Sequence, residues 1–435
     1  MHNPATVGVG LLGLGVVGSA VAESILRRER DPGSSPRLSF RGAVVRDASR
    51  PRSVTLPGGI LSTDPGSVLD NPDVQVVVEV MGGVNPAFDY ISTALRAGKH
   101  VVTANKEVLA KRGDELLSLS METGSHLYYE ASVGGGIPIL NTLADDLAGN
   151  EIRSIRAIIN GTTNYILSKM GSEGADFNDV LAEAQQLGYA EADPTADVDA
   201  FDATYKISIL ARLAFRTSSS PDSIYREGIR QVAAKDFSYA RELGYTIKLL
   251  AVARRSNGGL LLRVHPALVP VDVPIAKVNG PMNMVEVEGD LVGPLWLQGA
   301  GAGAKPTASA VMGDVLRVAR EISGGGRSAT QQSSPAGLSL TPMSEHSCEF
   351  YMRLTAADRP GVLAKVAGVL GDADISIRSV LQMDVDEKAG TADLVIMTHP
   401  AREANMQQAA ARIRNLDVVV ALDNLIRVEG YPSVP

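Results

Sequence analysis

Thr6-Val-Gly-Val-Gly-Leu-Leu-Gly13-Leu14-Gly15-Val16-Val17-Gly18 decides the reading of this chain. Residues 6–12 are an apolar, valine-bearing run of the kind a buried strand shows. Residues 16–30 follow a helical pattern that turns charged at Arg27, Arg28, Glu29 and Arg30. The G-x-G-x-x-G between them therefore falls where a strand hands over to a helix. In that setting Gly13 permits the tight turn, Gly15 lets backbone approach a pyrophosphate, and Gly18 lets helix and strand pack closely. The helix N-terminus adds N–H groups and partial positive charge for phosphates. A purely structural glycine turn is the other reading.

Outward from this motif, Asp31-Pro-Gly-Ser-Ser-Pro reads as a loop, and 37–45 as a second strand. An acidic residue at the end of that strand would hold a ribose 2′-OH, and an arginine would accommodate a 2′-phosphate. Here Val45-Arg46-Asp47 closes the strand, with Arg41, Arg50 and Arg52 nearby. Arg46 comes first and the arginines cluster, so NADP is predicted, with NAD the alternative. The run from Gly18 to Arg46 exceeds the usual spacing of about twenty residues, and the 31–36 loop accounts for the excess. Strands at 74–80 and 99–104 flank a helix at 88–97, which makes an α/β domain with a doubly wound parallel sheet.

The next region alternates less regularly. Strands are predicted at 152–159 and 260–271, and helices at 177–187 and 201–216, giving an α+β domain. A helix at 307–322 is expected to pack back on the first domain. Residues 323–341 are rich in Ser and Gly and read as a flexible linker. Beyond it the order strand 349–355, helix 361–371, strands 374–384 and 392–398, helix 401–414 and strand 418–428 is βαββαβ, a ferredoxin-like pattern. The expected domains are 1–129, 130–306, a linker at 323–347, and 348–435.

Composition narrows the function. The 435 residues include 41 Lys+Arg and 49 Asp+Glu, a net charge of −8. A nucleic-acid binder usually carries a basic excess, so none is expected, and no basic run suggests a membrane surface. The sole cysteine, Cys348, excludes an intrachain disulfide and a cysteine zinc site, and points to a reducing cytoplasm. Ala5–Ala22 lacks charge, but no Lys or Arg precedes it and five glycines interrupt it, so neither a signal peptide nor a membrane span is expected.

Three further stretches carry chemistry. Lys106, in Val101-Val-Thr-Ala-Asn-Lys106, follows a strand's carboxyl end, where open α/β sheets bind ligands. It meets an anionic substrate or cofactor, or it is a surface lysine. Glu130-Ala-Ser-Val133-Gly-Gly135-Gly-Ile137-Pro138 is a plain loop or a set of carbonyl donors for a hard cation. The densest cluster runs from Gly188 to Lys206 and includes Glu191, Asp193, Asp197, Asp199 and Asp202. Asp202 and Lys206 are i and i+4 on one helix face. A lysine entering an apolar helix beside a carboxylate is a candidate proton donor, and an ordinary surface pair is the alternative.

Taken together, GLGVVG at 13–18, TANKEVLA at 103–110, EASVGGGIP at 130–138, NGTTNYIL at 160–167, GYAEADPTADVDAFDATYK at 188–206 and PTASAV at 306–311 resemble the homoserine dehydrogenase family. Leu354-Thr-Ala-Ala-Asp358-Arg-Pro-Gly361, Ile375-Ser-Ile and Gln382 resemble an ACT regulatory domain. The resemblance implies a Rossmann-type domain, a substrate and dimerisation domain and a ferredoxin-like ACT domain. It implies NAD(P)H-dependent, reversible reduction of L-aspartate 4-semialdehyde to L-homoserine in threonine and methionine biosynthesis. By motif, 13–18, Arg46, Lys106 and Gly301 fall to the cofactor, and Lys206 protonates the forming alkoxide. Asp202 positions Lys206 and substrate. Glu191 and Asp197 hold the substrate's amino end, with Lys106 close to the reacting groups. Glu130, Val133, Gly135 and Ile137 match a monovalent-cation site, sodium in type. Asp358, Gly361 and Gln382 are expected effector contacts. A homodimer or homotetramer, feedback-regulated by threonine, is expected.

Two other classes compete. A non-catalytic nucleotide sensor with an ACT domain has no need of a proton donor such as Lys206. A thioester-forming dehydrogenase needs a nucleophilic cysteine, and only Cys348 exists. The linker reading predicts that a chain cut near Ser334 stays active and loses its response to threonine.

Overall fold

The computed structural model describes residues 6–256, 258–324 and 337–431. By contact they divide into two units. The first holds the described residues up to Arg153, with Tyr205–Ser223 and Asn283–Leu338. The second holds Ser154–Thr204, Ile224–Met282 and the described residues from Ser339 onward.

Six strands build the sheet of the first unit: β1 Val7–Leu12, β2 Leu38–Val44, β3 Leu61–Ser62, β4 Val76–Glu79, β5 His100–Thr103 and β6 Leu127–Tyr128. Their order is β3-β2-β1-β4-β5-β6, and every pair is parallel. β1 and β4 are buried throughout, which is why both read as unbroken apolar runs rather than alternating ones. The order reverses between β1 and β4, and the crevice at such a switch point is where this kind of sheet binds ligands. Helix Val16–Glu29 lies over β1 and β2, and helix Ala304–Gly324 enters the same core through Val311, Met312, Val315 and Val318. That helix runs about a turn longer at its N-terminus than the 307–322 pattern. The strands Met282–Gly289 and Gly293–Ala300 pair with each other. Sequence pattern did not find this pair, whose first strand follows Gly280-Pro281 and whose second opens on Gly293-Pro294.

In the second unit the strands Ile152–Ile158, Tyr245–Ser256 and Gly259–Pro270 neighbour one another, followed by Val419–Val428, Phe350–Ala357, Thr391–Thr398 and Ile377–Asp386. The last four are the strands of the βαββαβ segment. Its helices Val362–Asp372 and Glu403–Arg414 cover one face, with Val366, Leu370, Met406 and Ile413 packed on Met352, Leu354 and Ile396. The other face meets helix Ala234–Glu242, where buried Asp236 accepts bonds from Arg353 Nε (2.6 Å), Tyr351 Oη (3.0 Å) and Asn424 Nδ2 (2.8 Å).

Two boundaries shift for identifiable reasons. The strand predicted from 374 starts at Ile377, because Asp374 adopts φ +59 where the preceding helix ends. The helix predicted from 401 starts at Glu403, because Ala401–Arg402 pairs with Ser347–Cys348. Of the stretch read as a linker, 325–336 lie outside the described residues. Farther on, Leu260 N donates to Ser339 O and Thr341 N to Leu260 O, both at 2.9 Å, so 339–341 are tied to a strand. Val428 pairs with Leu268 and Arg427 with Ala267, so the C-terminal strand continues the sheet of 259–270. Among the described residues no helix is long and apolar enough to cross a membrane.

Candidate functional site

The glycine turn has the geometry that a dinucleotide requires. Gly13 takes φ +102, and its N–H donates to Val44 O at 2.9 Å. A Cβ on Gly18 would sit 2.3 Å from Gly13 O, so the helix could not approach the turn with any side chain there. Gly15 is exposed, has nothing within 4 Å of its Cβ position, and caps helix Val16–Glu29 without a side-chain bond. The first N–H groups of that helix are left without a side-chain cap, as an anion site needs. Leu14 is buried in the core and offers only its backbone, whereas Val16 is exposed and Val17 half-buried.

Past β2, Arg46 is exposed. Asp47, the acid that would select a ribose hydroxyl, is turned into its own loop: it accepts from Ser49 N at 2.8 Å and Ser49 Oγ at 2.6 Å. Those bonds hold its carboxyl below the usual range. Arg52 is likewise committed, donating to Asp47 O and Arg50 O.

Lys106 opens helix Lys106–Thr123 at the carboxyl end of β5, half-buried. Asn105 caps this helix by accepting from Val108 N at 3.1 Å, and its Nδ2 donates to Gly83 O at 2.7 Å. Beneath it Glu79, at the end of β4, accepts from Thr103 Oγ1 and from Met81 N. Burial pushes the Glu79 carboxyl up, against those bonds. This network ties the ends of β4 and β5 together under Lys106.

Helix Phe201–Phe215 carries Asp202 and Lys206 one turn apart, both buried. Its later part is docked on the Lys106 helix: Arg212 donates to Asp114 Oδ1 at 2.7 Å and to Leu109 O at 3.0 Å, and Lys111 lies 5.3 Å from the Tyr205 ring centre.

Glu130, Val133 and Ile137 are buried, and the chain reverses between them through Gly134 (φ +73) and Gly135 (φ +56). Gly135 packs on Gly301: a Cβ on Gly135 would lie 2.5 Å from Gly301 O. Gly136 N donates to Ala300 O at 3.0 Å. Gly301 has no room for a side chain, since its Cβ position falls 2.0 Å from Asn283 Nδ2. The Glu130 carboxylate accepts from Leu140 N (2.9 Å) and Asn141 N (2.7 Å), while Glu130 N donates to Asp314 Oδ2 at 2.8 Å. Burial pushes Glu130 up to about 7 and Asp314 up to about 6. Among the described residues no three His, Cys, Asp or Glu side chains cluster as a metal set.

In the second unit, Asp197 and Asp202 are brought together by a residue that motif reading passed over. Asn160 Nδ2 donates to Asp197 Oδ1 at 2.7 Å and to Asp202 Oδ2 at 2.9 Å. Glu191 is exposed on the same segment, which Thr162 Oγ1 anchors by donating to Tyr189 O at 2.6 Å. The available signal was an Asn one residue before a helical run, an N-cap pattern.

In the βαββαβ segment, Gln382 Nε2 donates to Asp358 Oδ1 at 3.1 Å, and Gly361 starts the following helix at φ +90. Of the three expected effector contacts, Gln382 and Asp358 thus meet directly, and Gly361 lies three residues past Asp358. Burial pushes the Cys348 thiol up to about 12, which removes it as a thiolate nucleophile.

The switch-point sheet with its uncapped glycine turn, the helix that buries Asp202 and Lys206 and the ferredoxin-like C-terminal segment define a nucleotide-dependent oxidoreductase joined to a regulatory domain. Comparison with known proteins agrees segment by segment. Residues 13–130 match the NAD-binding domain of homoserine dehydrogenase, 138–316 match homoserine dehydrogenase, and 350–418 match the ACT domain. A Synechocystis homoserine dehydrogenase is 44% identical over 97% of this chain and 99% of its own length. One from Corynebacterium glutamicum is 40% identical over 98% and 96%. A crystal structure of a homoserine dehydrogenase from Thiobacillus denitrificans superposes with a TM-score of 0.89, at 42% identity and 98% coverage of both chains. A hyperthermophilic archaeal homoserine dehydrogenase solved in complex with NADPH covers 72% of this chain and 97% of its own, with a TM-score of 0.62 and 29% identity. The chain belongs to the homoserine dehydrogenase family, whose members are NAD(P)-dependent oxidoreductases.

Proposed function

We propose that NADP is the preferred cofactor and that Lys206 is the proton donor as L-aspartate 4-semialdehyde is reduced to L-homoserine. The observation that carries this reading is the buried turn holding Asp202 and Lys206 on a helix otherwise lined by Ile207, Ile209 and Leu210. The bound dihydronicotinamide supplies the hydride. As the carbonyl carbon accepts it, negative charge grows on oxygen, and a protonated lysine neutralises that charge and gives up its proton. An ordinary lysine, with a pKa of about 10.4, is an acid at neutral pH. Homoserine oxidation runs the step backwards and needs the neutral amine, so alkaline pH favours it. Asp202 orients Lys206, Glu191 and Asp197 hold the substrate ammonium, and Lys106 lies near the reacting groups. The turn at 13–18, with Gly301 near it, holds the cofactor. The 130–137 loop is the place for a monovalent cation, sodium in type, because it presents the oxygen donors a hard cation takes.

The test is homoserine oxidation with NADP and NAD in parallel, with and without threonine. Threonine inhibition is expected, through Asp358, Gly361 and Gln382. Homo-oligomerisation is expected too, because ACT ligand clefts form between paired domains. Ile377–Asp386, which carries Gln382, is the terminal strand of its sheet. Absence of homoserine-dependent reduction of either cofactor would sink the reading.

Arg46→Ala is expected to raise KM for NADP at least tenfold and to leave KM for NAD within about twofold. The charge-assisted bonds it loses are those to the 2′-phosphate, worth about 1.5–3 kcal/mol. Equal effects on the two cofactors would assign Arg46 another part.

A further inference from the structure

We propose that Asn160 is a positioning residue for this reaction, its one amide holding the Asp197 and Asp202 carboxylates in register for substrate. This inference rests on the proposed roles of those two aspartates. The geometry fixes the amide's orientation without ambiguity. Thr163 N is a backbone donor and meets Asn160 Oδ1 at 2.8 Å, so the oxygen must face the helix. The Nδ2 end then faces the two carboxylates, at 2.7 Å and 2.9 Å, and each of its N–H groups has an acceptor.

Three elements converge on this side chain. Asp197 lies on the short helix Thr195–Val198, and Asp202 in the first turn of Phe201–Phe215. The chain joins them through Ala200, held at φ +64. Asn160 itself caps Gly161–Glu173 and is buried. Two like charges tend to splay apart, and a donor shared between them opposes that. Charged acceptors make the bonds stronger than neutral ones. The cap leaves Asn160 no freedom to follow either aspartate, so the cap of one helix becomes the reference point for carboxylates on two others. Gly161 belongs to the same arrangement, since a Cβ there would stand 2.8 Å from Pro281 O.

A helix cap alone would also keep an asparagine here, and substitutions separate the two roles. Asp and Ser both cap helices about as well as Asn. Asn160→Asp keeps the cap, removes both donors and adds a third negative charge. Asn160→Ser keeps the cap and one O–H donor. With positioning, Asn160→Asp lowers kcat/KM for homoserine about 100-fold, the scale of a misplaced catalytic group, and Asn160→Ser about tenfold. The homoserine KM rises and kcat falls and KM for the cofactor is unchanged; Tm stays near that of the wild type in Asn160→Ser, whereas Asn160→Asp, which buries a third negative charge, gives up part of it. Wild-type rates in both Asn160→Asp and Asn160→Ser would overturn the inference. So would a loss of activity that only follows a loss of Tm, in these variants and in Asn160→Ala alike. Wild-type enzyme is run first in the same assay: inactivity toward homoserine would overturn the proposed function itself, whereas an active wild type with an equally active Asn160→Asp would overturn only the role of Asn160.

Discussion

Lys206→Ala is expected to lower kcat for homoserine oxidation by about 10²–10⁴-fold, the usual worth of a general acid–base group. In barrier terms that is about 3–5 kcal/mol. Cofactor affinity should be nearly unchanged, because the turn at Gly13–Gly18 proposed for the phosphates is on a different element from Lys206. Lys206→Arg sharpens the test. Guanidinium keeps the positive charge but does not deprotonate in the working range. If Lys206 served only to attract an anion, arginine would restore much of the rate. If it exchanges a proton with the substrate oxygen, arginine stays nearly as slow as alanine, and the alkaline rise in oxidation rate disappears in both. Cofactor titration by fluorescence and steady-state kinetics from neutral to alkaline pH are the measurements. A kcat within tenfold of wild type for Lys206→Ala would remove it from the chemistry.

How far the sequence can be read depends on whether a signal is local. The glycine turn is legible because its meaning lies in a dozen contiguous residues, and Gly13 and Gly18 have the close contacts that the motif demands. The βαββαβ segment is legible from alternation alone, with its boundaries displaced by a left-handed residue at Asp374 and a short pairing at Ala401. What escapes is anything decided by residues far apart in the chain. Asn160 looks like any helix cap until the two aspartates, 37 and 42 residues later, are seen on its amide. Asn283 explains why Gly301 must be glycine, yet nothing near residue 283 announces it. The Ser/Gly stretch after residue 323 reads as the tether of a free-standing module, because composition cannot say which strands the later chain joins. The strand Val419–Val428 in fact continues the sheet of Gly259–Pro270.

Glu429 shows what that continuity does to stability. It lies just past the C-terminal strand, nearly inaccessible to solvent at 2% exposure. Its carboxylate accepts from Arg263 Nη2 at 2.6 Å and Arg156 Nε at 3.1 Å, and both arginines are buried as well. Burial alone would raise its pKa, but Arg263 and Arg156 outweigh it and bring Glu429 down to about 2 from the ordinary 4.5. A folded-state pKa below the unfolded one means that ionised Glu429 stabilises the protein above pH ~4.5. That contribution fades as pH falls through the window down to about 2. Removing the acid takes from two buried guanidinium groups the carboxylate they share, so Glu429→Ala should destabilise by about 3–5 kcal/mol. Replacing all three members by apolar residues of similar size should be far milder, since the desolvation of the ions disappears with them. Urea unfolding at pH 7 and at pH 3 is the measurement. The wild type loses part of its advantage over Glu429→Ala at the lower pH, and an unchanged difference would show that the ion cluster does not titrate as described. A chain cut near Ser334 loses Glu429 and the strand leading to it together, so the active, threonine-insensitive fragment expected from the linker should instead be poorly folded. Loss of threonine inhibition is better sought in the intact chain, with Gln382→Ala.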